Sequence, residues 1–371
     1  ITLYHLIFIV KIKNIMRVCI LGDSLSGLVL AKALANQNIN IDLFTSEKKK
    51  KFNRTRTLGI SKKNIDFINK EIININHLLW KLKKIEIFSD NLKNEKLINF
   101  ENKDKEIFSI IRNYDLYKIL YKNLSRNKYF KKIFINQKKL SIENYDLIIN
   151  NDFSHVFTKK YFSKKIVKEY DGKAYTTIIQ HEKISNNIAT QIFTKKGPLA
   201  FLPISNTETS IVFSAYNSLQ KENIIELILY YNFKYKINKV NKVESFQLKC
   251  LSLRSYYHKN ILAFGDLLHK IHPLAGQGFN MTIRDVKSLI VIIQKKIELG
   301  LPLDSSVNKD FENSQKHKNF IFANSVDLIY EFFNIERKIK SKILSKSIKV
   351  LTKHKSTNEI FKKIADEGII F

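Results

Sequence analysis

The sequence predicts an α/β protein. A parallel βαβ frame is interleaved with a mostly antiparallel β-sheet region, and a helical C-terminal region follows. Three observations predict it. The segment "MRVCILGDSLSGLVLAKALANQNINIDLFTSE" (16–47) reads strand, tight turn, helix, strand, within the span of one βαβ unit. From Ala174 to Leu253 the apolar pattern is mostly that of strands, interrupted by one helical run, "ENIIELILYYNF". Beyond Pro302 the pattern is helical and basic.

Taken in order, "VCIL" is a short buried strand and "GDSLSG" the turn after it. "LVLAKALANQ" carries Leu28, Ala31 and Ala35 on one helical face, and "INIDLF" is the next strand. Between Ile72 and Phe108, "KKIEIFSD" and "EKLINFEN" alternate as strands do. "NYDLYKILYKNLSRN" (113–127) is an amphipathic helix with Leu116, Ile119, Leu120 and Leu124 inward. "YDLIINND" (145–152) is a buried strand ending in polar residues. "NILAFGD" (260–266) returns to the frame, and a helix runs from about Asn280 to Leu299. The expected division is a discontinuous frame of 16–70, 110–172 and 254–300, a sheet domain of 71–109 and 173–253, and a helical region of 301–371.

The chain has 371 residues, enough for one large or two closely packed domains. Its formal net charge of +30 raises nucleic acid as a partner. The basic excess is nearly all Lys, with only eight Arg, and is scattered along the chain with no RNP, zinc-finger or basic-zipper pattern. Contact with an anionic membrane surface therefore ranks above nucleic acid. No apolar run reaches the ~18–20 residues that span a bilayer. Residues 1–15 include a ten-residue apolar stretch, but no basic segment precedes it and no small-residue cleavage site follows it. They read as a non-structural leader, with the fold starting near Met16. Cys19 and Cys250 suggest neither a disulfide framework nor a thiolate cluster. A reducing cytoplasm, with the inner face of the membrane as a contact surface, is the expected compartment.

"GDSLSG" keeps Gly22 and Gly27 of a G-x-G-x-x-G dinucleotide fingerprint and replaces its middle glycine with Ser24. The second strand should end in an acid that holds ribose hydroxyls. Thr45 stands there and Glu47 follows, either as a substitute or as solvated charge beside a Lys run.

"FGDLLHKIHPLAGQGFN" (264–280) holds three of the ten glycines of the chain. A metal site on Asp266, His269 and His272 would need a helix, which Pro273 opposes. A backbone cradle explains more. Gly265 ends a strand sharply with Asp266 at its tip, placed to bind a polyol. Pro273, Gly276 and Gly278 form a wall poor in side chains beside a helix amino end, an arrangement that favours negative charge.

"FGDLLHKIHPLAGQGFNMTIRDVKSL" closely resembles the flavin-binding segment of the FAD-dependent aromatic hydroxylases, in their ubiquinone-biosynthesis branch. Gly265, Asp266, His269, His272, Pro273, Ala275, Gly276, Gln277, Gly278, Asn280 and Asp285 fall in register. "RTLGIS" (56–61), "AYTTIIQHE", "TKKGPLAFLPI" and "YDLIINND" resemble other segments of that family. The resemblance implies a para-hydroxybenzoate hydroxylase-like fold with a Rossmann-like FAD-binding domain. It implies that Asp266 binds the ribityl chain and that Pro273, Gly276, Gln277, Gly278 and Asn280 line the flavin. Arg56 and His272 would flank the ring region, and Gly22, Ser24, Gly27, Glu47, Arg112 and Asp152 the remaining cofactor. No catalytic residue is assigned, because the flavin carries the chemistry. Departures from the family pattern are Ser24, Thr45, Phe153 after Asp152, and an arginine position that aligns with either Arg112 or Tyr114. They fall at the adenosine and pyrophosphate end and leave the ring end in register.

The reaction implied is hydroxylation of a polyprenyl-phenol ring in ubiquinone biosynthesis. NADH or NADPH reduces FAD, and molecular oxygen forms a flavin hydroperoxide. Two alternatives stand beside it: a non-catalytic scaffold in the same biosynthetic assembly, and a related flavin oxidoreductase with another aromatic substrate. "LIYEFFNIERKIKSKILSKSIKVL" (328–351) reads either as a packing helix or as a membrane-surface helix suited to such a substrate.

Overall fold

The structure is a computed structural model, and it describes residues 16–45, 54–90, 95–101, 106–134, 142–217, 219–273 and 276–339. The expected leader 1–15, Glu47 and the 340–351 half of the basic C-terminal segment lie outside the described residues.

Elements are numbered along the chain. The frame is a sheet of order β16-β17-β9-β1-β2-β8. It contains β1 (Arg17–Leu21), β2 (Asn40–Thr45), β8 (Phe130–Phe134), β9 (Leu147–Asn150), β16 (Tyr257–His258) and β17 (Ile261–Ala263). All these pairings are parallel except β16 with β17. Val18 to Leu21 and Leu147 to Ile149 are buried because helices cover the sheet, which is why these strands are apolar without alternation. Helix α1 (Leu25–Ala35) is buried from Ser26 to Ala35, not on the single face expected, because it is enclosed by the sheet and neighbouring helices. Helix α2 (Lys62–Phe67) follows a third strand, β3 (Thr57–Ser61). Helix α3 (Asn113–Leu124) buries Leu116, Leu120 and Leu124 fully and Ile119 in part.

The strand pattern of the middle region forms a large sheet of order β18-β15-β10-β13-β12-β11-β5-β6, with β14 paired to β10. Its members are β5 (Lys84–Ser89), β6 (Glu95–Glu101), β10 (Lys165–His181), β11 (Ile188–Thr194), β12 (Gly197–Pro203), β13 (Glu208–Ser214), β14 (Ile237–Val240), β15 (Glu244–Leu253) and β18 (His269–Lys270). Alternation decides its two faces. Tyr175 and Ile192 point to one apolar cluster, and Ala174 and Phe193 to the other. The first cluster is covered by α5 (Lys221–Tyr231) and the second by α6 (Gln277–Glu298) and α7 (Ser305–Ile339). A short helix, α4 (Val156–Tyr161), follows β9. A small sheet of β3, β7 (Phe108–Arg112) and β4 (Trp80–Leu82) stands beside the two large ones.

Two boundaries differ from the sequence reading. The division at 172/173 falls inside β10, at the irregularity between Glu169 and Lys173 where its pairing with β15 shifts register. Ile72 and Ile75, assigned to the sheet domain, pack in the core of the frame.

Candidate flavin site

The carboxyl ends of β17, β9 and β1 lie side by side, so the loops after them converge. Asn151 N donates to Leu21 O at 2.9 Å and Phe264 N to Asn150 O at 2.9 Å, which locks the three loops together. Gly265 sits so close to α1 that a Cβ there would lie 2.4 Å from Ser26 Oγ and 3.0 Å from Asn151 Oδ1. Asp266 is exposed while every other residue from Ile261 to His269 is buried. The carboxylate thus stands at the tip of β17, at the mouth of this junction.

The helix after the loop begins at Gln277, three residues earlier than expected. Gly276 is its N-cap residue at φ +65°, a left-handed conformation that turns the chain into the helix at once. A Cβ on Gly276 would lie 3.2 Å from Gly59 N, so the loop packs backbone to backbone against β3. Among the described residues no side chain caps α6, and its first turn holds no acid. Its leading amides therefore remain available to an anionic group. Gly276 N itself is not among them, because it donates to Pro273 O at 3.4 Å.

Asn280, expected among the residues that line the flavin, has its side chain engaged by protein partners. It is fully buried and has no hydrogen-bonding capacity left. Its Oδ1 accepts from Ser61 N and Asn64 Nδ2, both at 2.9 Å, and its Nδ2 donates to Gly59 O at 2.9 Å and Gly276 O at 3.3 Å. It clips the loop to β3. Gln277, 6% exposed, keeps its Oε1 without a partner among the described residues.

The two histidines face different surroundings. His269 Nε2 hydrogen-bonds Asp285 Oδ2 on α6, and Asp285 Oδ1 accepts from Asn319 Nδ2 of α7 at 2.9 Å. His272 is buried between Tyr170, 5.4 Å away edge-on, and Tyr330, 4.1 Å away. Neither of its ring nitrogens has a partner among the described residues, and burial pushes its pKa down to about 3, so the ring is neutral.

Arg56 is exposed at the start of β3, and its carbonyl accepts from Asn113 N at 3.1 Å. Arg112 does not stand ready for a phosphate: its guanidinium is paired with Glu208 of β13 at 2.6 Å. Asp152 follows β9 as expected, but its Oδ1 accepts from Ser154 N and Oγ at 2.8 and 2.7 Å, stapling the turn that contains Phe153. Ser24 is the N-cap of α1, and its Oγ accepts from Gly27 N at 3.2 Å. Asp23, Lys132, Asn151, Glu208 and Asn319 also shape the site and were not singled out from sequence. Their partners are mostly distant in the chain, and only the polar end of "YDLIINND" hinted at Asn151.

The donor set fits a flavin unevenly. At the ring and ribityl end, Asp266, the wall of Pro273, Gly276 and Gly278, and the uncapped start of α6 match a polyol and an electron-rich flat ring. At the diphosphate end, protein groups already hold one amide of the helix amino end, Gly27 N, and Arg112.

No family model matches the chain. Among curated proteins it is 30% identical over 175 residues to 3-demethoxyubiquinol 3-hydroxylase of Escherichia coli (strain K12), covering 45% of each chain. It is 34% identical over 95 residues to the ubiquinone biosynthesis monooxygenase COQ6 of Dictyostelium discoideum, covering 25% of this chain and 19% of that protein. The matched region thus spans less than half the length of these relatives. Among solved structures, HpxO of Klebsiella pneumoniae, complexed with FAD and uric acid, superposes with a TM-score of 0.75 at 10% identity, over 95% of this chain and 98% of the other. The p-nitrophenol 4-monooxygenase PnpA of Pseudomonas putida superposes with a TM-score of 0.74 at 10% identity, over 95% and 97%. The fold is that of the para-hydroxybenzoate hydroxylase-like flavin monooxygenases, and the curated relatives named above are ubiquinone-biosynthesis hydroxylases, the branch that residues 264–280 resemble.

Proposed function

We propose that this chain is an FAD-dependent monooxygenase that hydroxylates the ring of a polyprenyl phenol in ubiquinone biosynthesis, with NADH or NADPH as electron donor. The observation that carries the reading is the loop of residues 264–280. It sets an exposed carboxylate, Asp266, at the junction of three parallel strands, and a helix amino end packed against β3. The curated relatives named above support the substrate class. When bound, the flavin supplies reductive activation of oxygen and transfer of one oxygen atom to the ring.

The protein's own groups hold and shield. Asp266 accepts hydrogen bonds from the ribityl hydroxyls. The amides leading α6 stabilise negative charge on the ring without rearranging. Asn280 and Gly59 fix the distance between that helix end and β3. His272, Tyr170 and Tyr330 form a neutral aromatic wall that excludes water. On α7, Leu328, Ile335 and Ile339 are 70%, 46% and 67% exposed and lie on one stripe with Phe332, which supports contact with a membrane surface holding the substrate tail. No helix among the described residues is long and apolar enough to cross a membrane.

The test is oxygen uptake by purified chain with FAD, a reduced nicotinamide and a 2-polyprenylphenol, with mass spectrometry of the product. One added oxygen atom per ring is expected. Protein that stays colourless in excess FAD would sink the reading. Asp266→Ala removes an exposed side chain, so folding is expected to be kept while flavin affinity falls at least about tenfold, the worth of a charge-assisted contact. The self-capped dinucleotide turn favours one second reading, a non-catalytic scaffold. In a strain lacking its ubiquinone hydroxylase, equal rescue by wild type and Asp266→Ala would favour the scaffold.

A further inference from the structure

We propose that Ser24 and the Asp23–Lys132 pair act as built-in occupants of the diphosphate and ribose subsites, so that this chain holds a flavin chiefly by its ring and ribityl half and exchanges FAD readily. The inference rests on the flavin reading above and concerns how the cofactor is gripped.

The middle position of a glycine fingerprint is ordinarily bare so that a diphosphate can back onto the helix amino end. Here the Ser24 hydroxyl occupies that end. Besides accepting from Gly27 N, it lies 2.8 Å from Ser26 Oγ, which donates to Asn151 Oδ1 at 3.3 Å. The hydroxyl is thus the end of a short relay anchored in β9's loop, not a side chain free to swing away.

Asp23 adds a charge of the wrong sign. Its carboxylate is 7% exposed, inside the turn that would wrap the diphosphate, and it accepts from Lys132 Nζ at 3.1 Å and Tyr117 OH at 3.2 Å. Lys132 lies on β8, two strands from β1, in register with Leu43 of β2. The Asp23–Lys132 bond therefore spans β2, near the end of the strand where an acid would bind ribose hydroxyls. That end carries Thr45, which is buried. Lys132 is further held beside the Tyr121 ring, 4.8 Å from its centroid. A diphosphate must compete with Ser24 for Gly27 N and approach a carboxylate whose countercharge is already committed. The amino end of α6, by contrast, carries no side-chain cap among the described residues.

The test is titration of the full chain, stripped of flavin, with FAD and separately with riboflavin, followed by flavin fluorescence. In wild type the two dissociation constants are expected to lie within about tenfold of each other. Ser24→Gly frees Gly27 N and is expected to tighten FAD about fivefold to tenfold, with riboflavin unchanged; an N-cap side chain is worth about that factor, and glycine at an N-cap costs the helix little. Ser24→Ala, which keeps the Cβ, is expected to gain less. Asp23→Ala is expected to tighten FAD and make its binding more salt-dependent, because Lys132 becomes available to phosphate. Circular dichroism and urea midpoints report folding of each variant. Riboflavin binding with no gain in FAD affinity in Ser24→Gly overturns this proposal and leaves the flavin reading standing. Wild type binding FAD more than a hundredfold tighter than riboflavin overturns it as well. Failure of every variant to bind either flavin overturns both.

Discussion

Asn280 shows how the side chain of a motif residue can be spent on the protein itself. All four of its hydrogen-bonding capacities are spent on β3, α2 and the loop itself. Asn280→Ala would leave buried amide and carbonyl groups unpaired, so a loss of about 2–4 kcal/mol is expected, read as a fall in the urea midpoint. Asn280→Asp should lose at least as much, since its carboxylate has no N–H for Gly59 O and Gly276 O and would be buried facing both. His272 gives a pH signature. Its folded pKa, about 3, lies below the ordinary value of 6.5. The unfolded chain therefore binds the proton more readily, and the stability held with neutral His272 is complete above about pH 6.5 and drains away as pH falls toward 3. Urea midpoints of wild type should drop between pH 7 and pH 4 more than those of His272→Leu. Equal slopes would show that the ring is not kept neutral by burial.

At the scale of elements, the entry to α6 is set by one left-handed residue. Gly276→Ala places a Cβ 3.2 Å from Gly59 N and imposes φ +65° on an L side chain, a strain of about 1–2 kcal/mol. A lower melting temperature together with weaker riboflavin binding is expected; weaker binding without destabilisation would point to another cause. This element was legible in sequence because glycine, proline and a following helical run report local conformation directly. The strands of the frame were legible as well, since burial on both faces demands unbroken apolar runs such as "VCIL". What escaped was pairwise and distant. Arg112 and Glu208 are 96 positions apart, and Asp23 and Lys132 are 109 apart; Glu208, Asp23 and Lys132 taken singly read as ordinary surface charges, and nothing local ties Arg112 to Glu208. The start of α6 was placed late because Gln277 and Gly278 resemble loop residues until Gly276 is known to turn the chain.

At the scale of the whole molecule, the charge of +30 and the exposed stripe on α7 act together. Sedimentation with vesicles containing anionic lipid is expected at low salt and should weaken severalfold between roughly 0.05 and 0.3 M salt, as screening shortens the reach of surface charge. Leu328→Asp with Ile335→Asp should weaken it at both salt concentrations. Equal binding to neutral vesicles would remove the electrostatic part, and no binding to either would remove the membrane contact. The strand order of the frame also has a consequence for how the chain is made. β9 is flanked by β1 on one side and by β17 on the other, yet β17 lies about 110 residues further along. At a synthesis rate of roughly 5–20 residues per second, the apolar edge of β9 stands unpaired for on the order of 6–20 seconds. During that interval the nascent chain offers a ready template for wrong strand partners, so exposure to aggregation is expected during the wait for residues 261–263 to leave the ribosome.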